Sequence, residues 1–348
     1  MGFEPTSQEV GSPPEETSRS FSRRALLSLD FAPASDGADY WIRVHRRAMA
    51  CRFEVTLSGE DAHHVPAARD ALDEIDRIES SLTVFRETSD LVQLNKAAGH
   101  APVAVDETLF GLLRLCRELH LRTGGTFDVS TTPLSRCWGF LRREGRLPSA
   151  AEIAAARALV GMDAVELDEA GRTVRFRRPG MELNLGSIGK GFALGQVAAR
   201  LRQHVRHALL SAGGSSVLAL GGRGAGWIVD LRSRQVSRDR LARVHLRDAA
   251  LATSGAGEQF VEVEGTRYGH VLDPRTGSPA SGVLSASVIA AEAAVADALS
   301  TAFLVGGLEL ARRYCADHPG TLALVTPDDG SERPRVFGQC PGASLEGA

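Results

Sequence analysis

The chain has 348 residues, of which 43% are hydrophobic and 24% charged, with a formal net charge of −3 and a mean hydropathy of −0.09. This composition excludes a wholly disordered chain, and the near-neutral balance excludes a bulk nucleic-acid binder, which needs a basic surface to displace counterions. Five cysteines without any CxxC spacing argue against a conventional structural zinc and for reduced, mostly buried thiols.

Residues 1–38 are rich in Ser, Pro, Glu and Gly, lack a sustained apolar period, and read as a disordered leader. Within it Ser22-Arg23-Arg24-Ala25-Leu26-Leu27 resembles a twin-arginine export signal. The apolar stretch that follows stops at Asp30, however, short of the roughly 7–15 residues such a signal needs. The expected location is therefore the cytoplasm, with export through a degraded leader as the lesser alternative. From 39 to 340 no second linker and no repeat interrupts the chain, so a single domain is expected, followed by a short tail at 341–348. Apolar residues at helical spacing (Ala68, Leu72, Ile75, Ile78) predict a helix over 65–82, and Leu112, Leu113, Cys116 and Leu119 predict another over 109–122. Short or alternating apolar runs predict strands at 50–57, 164–167, 173–176, 181–185, 208–210, 216–220, 227–229, 244–246 and 260–263. Helices over 188–203 and 291–304 interrupt this strand-rich half, which makes the fold class mixed α/β or α+β. No transmembrane segment is expected: 208–222 is short and Gly-rich, and 288–307 carries Glu292 and Asp297.

Four segments hold polar residues that core packing does not call for. In Leu183-Asn184-Leu185-Gly186-Ser187-Ile188-Gly189-Lys190-Gly191 a strand meets a helix through three glycines. Backbone N–H groups, the helix start and the Lys190 charge together suit a phosphate, although the spacing is neither a Walker A loop nor a Rossmann fingerprint. A Gly-rich turn with a solvated lysine is the plain alternative. Lys190 is also one of only two lysines among 40 basic residues, the other being Lys96, which is read as a solvated side chain.

In Ala296-Asp297-Ala298-Leu299-Ser300-Thr301 a helix would place Asp297 and Thr301 on one face, a pair of hard oxygen donors suited to Mg²⁺; a capped or ion-paired Asp would read the same way. In Gly269-His270-Val271-Leu272-Asp273-Pro274-Arg275-Thr276-Gly277, turn chemistry accounts for Asp273 and Pro274. His270 is either a proton carrier or a structural histidine. In Thr123-Gly124-Gly125-Thr126-Phe127-Asp128 the carboxylate either binds a ligand or closes an Asx turn. The run Gly222-Arg223-Gly224-Ala225-Gly226 reads as a hairpin loop between flanking strands rather than a nucleotide loop.

Taken in order, these segments resemble the ApbE family, the FAD:protein FMN transferases. The resemblance runs from Met49-Ala50-Cys51 through Ser89-Asp90-Leu91-Val92-Gln93-Leu94-Asn95, the segments above, Ala212-Gly213-Gly214 and Ala252-Thr253-Ser254-Gly255. It implies a single-domain, T-fold-like α/β architecture and Mg²⁺-dependent transfer of FMN from FAD to a Thr or Ser hydroxyl of an acceptor flavoprotein, with release of AMP. FAD pyrophosphatase activity and a non-catalytic FAD carrier are the alternatives. By matched position the resemblance implies Ser187, Asp297, Ser300 and Thr301 at the metal, and Met49, Thr126, Phe127, Asp128, Asn184, Lys190 and Val271 on FAD. Lys190 and His270 would serve the chemistry. Asn184 replaces the family's usual Asp, and Ser300 stands where some members carry a second Asp.

Overall fold

The computed structural model describes residues 20–23, 27–32, 40–142, 144–222, 224–233, 240–257, 259–263, 266–331 and 333–346. Its centre is an antiparallel sheet of eight strands in the spatial order Arg335–Gly338, Leu322–Pro327, Val283–Ala290, Ala250–Gly255, Ser216–Leu220, Ala208–Ala212, Cys51–Ser58 and Trp41–Ala48. The described residues also form seven helices: α1 (Val65–Leu82), α2 (Asp90–Ala97), α3 (Glu107–Arg122), α4 (Thr132–Cys137), α5 (Ala150–Arg157), α6 (Gly189–Leu201) and α7 (Ala293–Asp317).

Side chains on a strand alternate between faces, and here both faces are covered. Leu210, Leu218, Ala252, Val288 and Val325 pack in the core formed with α1, α6 and α7. Their chain neighbours Leu209, Val217, Leu251, Ile289 and Leu324 pack against a second sheet, ordered Ala343–Glu346, Arg240–Leu246, Trp227–Ser233 and Leu27–Ala32. A smaller cluster, including Leu134, Trp138, Val160, Val261 and Leu272, joins α4 and α5 to the strands Gln259–Val263 and Thr266–Gly269. Full burial of a Leu or Ile is worth roughly 1.5–3 kcal/mol, so the central sandwich is the rigid frame on which the loops rest.

Helix α1 has the bounds its periodicity predicts, with Ala68, Leu72, Ile75, Ile78 and Leu82 buried and a proline in its first turn. At α3, Asp106 accepts from the Leu109 amide at 2.7 Å, and His120 and Arg122 lie in the last turn, where the helix dipole favours positive charge.

Several expectations are corrected. Residues 181–185 form no strand: Leu183 exchanges hydrogen bonds with the side chain of Asn95, at 2.8 and 2.9 Å, instead of with a neighbouring strand. The 222–226 run is not a hairpin loop. It carries the chain from Ser216–Leu220 in the central sheet to Trp227–Ser233 in the second, and Arg247 staples it by donating to the carbonyls of Gly222 and Gly224. Arg223 lies outside the described residues. Helix α7 runs on past 304 to Asp317 because the chain bends at Gly307 (φ 75°) and then resumes its turns.

Two strands fall within the stretch expected to be a disordered leader: Ser20–Arg23 pairs with Gln259–Val263, and Leu27–Ala32 with Trp227–Ser233. Residues 1–19, 24–26 and 33–39, and with them Arg24, lie outside the described residues. The expected tail likewise contributes the edge strand Ala343–Glu346. By length and composition α7 would suffice to cross a membrane, but 67% of its apolar window is buried within the protein, as befits a core helix.

Candidate active site

The approach to α6 is fixed from three sides. Asn95 holds Leu183, the Asn184 amide donates to the Val129 carbonyl at 2.7 Å, and the Asn184 side-chain oxygen accepts from the Gly186 amide at 2.9 Å. Gly189 then opens the helix, and the Gly191 amide donates to Asp297 Oδ2 on α7 at 2.9 Å. A Cβ on Gly191 would stand 2.1 Å from the Ala293 carbonyl oxygen, so only glycine lets the two helices approach this closely. Lys190, one residue earlier, reaches across to the Ser215 hydroxyl. Burial raises the Asp297 carboxyl above its ordinary range; the Lys190 charge, the backbone amides of Gly191 and Lys190, and the Ser216 hydroxyl act in the opposite direction. The helix start thus holds a buried carboxylate directly, and both it and Lys190 border a cleft.

That cleft has two lobes. The first, about 330 Å³, is lined by Thr126, Phe127 and Asp128 on one side and by Ser187, Asp297 and Thr301 on the other, with Val271 also on its wall. The second, about 600 Å³, is lined by Met49, Cys51, Glu79 and Phe85 among others. Asn184, Gly186, Lys190 and His270 belong to both lobes and form the waist between them. Met49 and Ala50 make a two-residue turn with φ of 49° and 57°, a left-handed conformation that costs a non-glycine residue about 1 kcal/mol or more.

Of the residues that the resemblance places at the metal, on FAD or in the chemistry, all but one line this cleft. The exception is Ser300, which is fully buried; its hydroxyl donates to the Asp297 carbonyl at 2.8 Å and lies 2.8 Å from the Ser254 hydroxyl. Ser254 also lies 3.2 Å from Thr301 Oγ1, so Ser300 supports the wall from behind. Asp273 is spent on its turn, as expected, in a bidentate pair with Arg275. Lys96 is exposed and pairs with Glu87. Sequence reasoning missed Ser215, Ser216 and Phe85; the last, 75% exposed at the lip of the larger lobe, was an apolar residue in a polar loop, Thr83-Val84-Phe85-Arg86-Glu87. Cys51 was noticed only as part of a motif. Burial raises its thiol pKa, against the opposing influence of the Lys190 charge, so it is not an activated nucleophile.

The donor set decides which ion fits. Among the described residues no group of three or more His, Cys, Asp or Glu is placed to hold a metal, which disfavours zinc and other transition metals. One carboxylate with two hydroxyls is an all-oxygen set that suits Mg²⁺, an ion that keeps waters and substrate phosphates as its remaining ligands.

Fold and site together define a mixed α/β protein with a two-lobed cleft that carries a lysine at the start of a helix. Residues 49–326 match the model of the ApbE family, and the chain belongs to that family. It is 33% identical over 296 residues to the FAD:protein FMN transferase of Treponema pallidum, covering 80% of this chain and 82% of that protein. It is 34% identical over 238 residues to a Klebsiella pneumoniae protein of the same name, covering 68% and 74%. Among solved structures, the ApbE protein of Thermotoga maritima superposes with a TM-score of 0.77 at 28% identity, covering 86% of this chain and 97% of that one. The apo flavinyl transferase ApbE of Pseudomonas stutzeri gives 0.74 at 26% identity, covering 86% and 95%.

Proposed function

We propose that this chain transfers the FMN half of FAD to a Thr or Ser hydroxyl of a target flavoprotein and releases AMP, with Mg²⁺ required. The observation that carries the reading is the waist of the cleft, where Lys190 at the start of α6 stands between two lobes with Asp297 on the wall of the smaller one, as a dinucleotide with a central pyrophosphate demands. The names of the relatives support it.

Attack on a phosphoric anhydride needs positioning and charge neutralisation more than covalent help from the protein. Lys190 binds and orients the pyrophosphate, while the first amides of α6 hold Asp297 and the Leu185 carbonyl. Asp297, Thr301 and Ser187 would hold Mg²⁺, which when bound neutralises charge on the phosphate oxygens. His270, on the wall of both lobes, takes the proton from the acceptor hydroxyl. Asn184 keeps a hydrogen-bonding group at the waist without adding a negative charge beside the pyrophosphate.

The test is to incubate the purified chain with FAD, Mg²⁺ and a candidate acceptor and to weigh all products. FMN mass on the acceptor together with AMP supports transfer. Free FMN and AMP with an unchanged acceptor would replace this reading by FAD pyrophosphatase, and bound but intact FAD would replace it by a carrier. The proposed location is the cytoplasm, supported by five cysteines that all remain free thiols; recovery from an extracytoplasmic fraction would reverse it.

A further inference from the structure

The acceptor sites of Asp128 are already filled by its own chain. Its Oδ1 takes the Ser130 amide at 2.7 Å and the Ser130 hydroxyl. Its Oδ2 takes the Met162 amide at 3.1 Å and lies 3.1 Å from His120 Nδ1. A carboxylate offers about four lone-pair sites; three are filled by hydrogen bonds and the fourth faces the imidazole N–H, so the carboxylate is turned to its own chain rather than to a ligand. His120 itself is buried at the end of α3, and the same Nδ1 lies 3.1 Å from the Phe127 carbonyl oxygen. The Ser130 hydroxyl in turn accepts from the Gly161 amide at 2.7 Å, and Val129 accepts from Asn184 at the waist. One imidazole therefore ties the last turn of α3 to both residues at the back of the Thr126–Phe127 wall, and through Val129 to the segment that carries Asn184.

We infer that His120 is a positioning residue for the FAD cleft, acting through Asp128, and that Asp128 shapes the wall rather than binding the ligand. This deepens the proposed function and rests on it. The other charged groups around His120 are Asp163, whose Oδ1 is 3.7 Å from Nε2, and Arg275, which lines the same small recess on the far side of the loop. Neither supplies an N–H to Asp128 Oδ2, so loss of the imidazole removes the one N–H that this oxygen and the Phe127 carbonyl share in a buried place. The wall then has reason to shift, although no atom that touches the ligand has been changed.

The experiment uses His120→Ala and His120→Asn in the full chain, since the Asn amide can restore one N–H to the same neighbours. FAD titration should show about tenfold weaker binding for His120→Ala, a matching rise in KM for FAD with kcat within about twofold, and recovery of most of the affinity in His120→Asn. Amide exchange in the ligand-free protein should quicken over 126–131 and 161–163 in the Ala variant and return toward wild type in the Asn variant. Unchanged FAD affinity in His120→Ala overturns the inference, as does an Asn variant no better than Ala at equal thermal stability. If the wild-type chain does not bind FAD, the proposed function fails, and unchanged exchange in the Ala variant would separately show that the latch does not exist.

Discussion

Asp128 and Asp297 are both buried aspartates on the same cleft, and they are held in different ways. Asp128 accepts three hydrogen bonds from its own chain, from the Ser130 amide and hydroxyl and the Met162 amide, and its Oδ2 also lies 3.1 Å from His120 Nδ1. Asp297 has backbone amides and the Ser216 hydroxyl, with the Lys190 ammonium acting on it through space, and burial still prevails in raising its pKa. Thr301 lies one turn further along the same helix and also lines the cleft. A carboxylate whose acceptors are satisfied organises backbone, whereas one held against burial beside other oxygen donors is disposed to take a cation. Chemical identity and burial are nearly the same in the two cases; the donors around them are what differ.

The sharpest way to break this contrast is Asp297→Ala, expected to lower Mg²⁺-dependent FMN transfer at least about 100-fold, read by mass spectrometry of the acceptor while circular dichroism confirms the fold. Gly191→Ala should come next, because its Cβ would collide with the Ala293 carbonyl. A loss of about 2 kcal/mol in urea unfolding is expected, and protection at the Asp128 side should change little. Lys190→Ala should weaken FAD binding about tenfold in a titration followed by flavin fluorescence, and Lys96→Ala should leave it intact.

A smaller effect probes the other aspartate through pH. Burial alone would lower the His120 pKa, but the hydrogen bond and charge of Asp128, followed by the Asp163 charge and the Phe127 carbonyl, hold it above its ordinary value. A histidine raised on folding contributes fully below its unfolded value of about 6.5 and loses that contribution as pH climbs through the raised value. The thermal midpoint of the wild type should therefore lose part of its lead over His120→Asn as the pH is raised above about 6.5. The smallest effect lies away from both aspartates, on the wall of the larger lobe: Ala50→Gly relieves a left-handed alanine in the hairpin turn and should stabilise the protein by about 1 kcal/mol in denaturant titration.

The legible parts of the sequence were those with one buried face. Helix α1 and the strand Thr173–Phe176 have the bounds their patterns predict, and Ser216–Leu220, though covered on both faces, was marked by the glycines that follow it. Strand Trp41–Ala48 was not read because it is a sheet edge, with Arg43, His45 and Arg47 exposed along it. Val283–Ala290 and Leu322–Pro327 were missed for the opposite reason: both are covered on two faces and carry no alternation. The eight-residue helices α2 and α5 are too short to show a period. In the site, glycine placement pointed correctly to the start of α6, and motif order gathered residues from five separated segments into one cleft. The fate of each hydroxyl was invisible in the sequence, since whether Ser300 turns toward a cleft or toward Ser254 is settled by tertiary contacts. Asp128 was singled out for its chemistry, while His120, which completes its donor set, looked like one more polar residue on an amphipathic helix.

The pairing of Asn95 with Leu183 has a further consequence. A single side-chain amide does the work of a neighbouring strand, so the site segment takes its register from a helix. Inserting one residue ahead of Asn95 within α2 would swing its side chain about 100° around the helix axis and leave Leu183 with neither donor nor acceptor. The spacing between Ser89, which caps α2 by accepting from the Val92 amide, and Asn95 is therefore a ruler for the active site, measured in turns of a helix that never touches the ligand cleft.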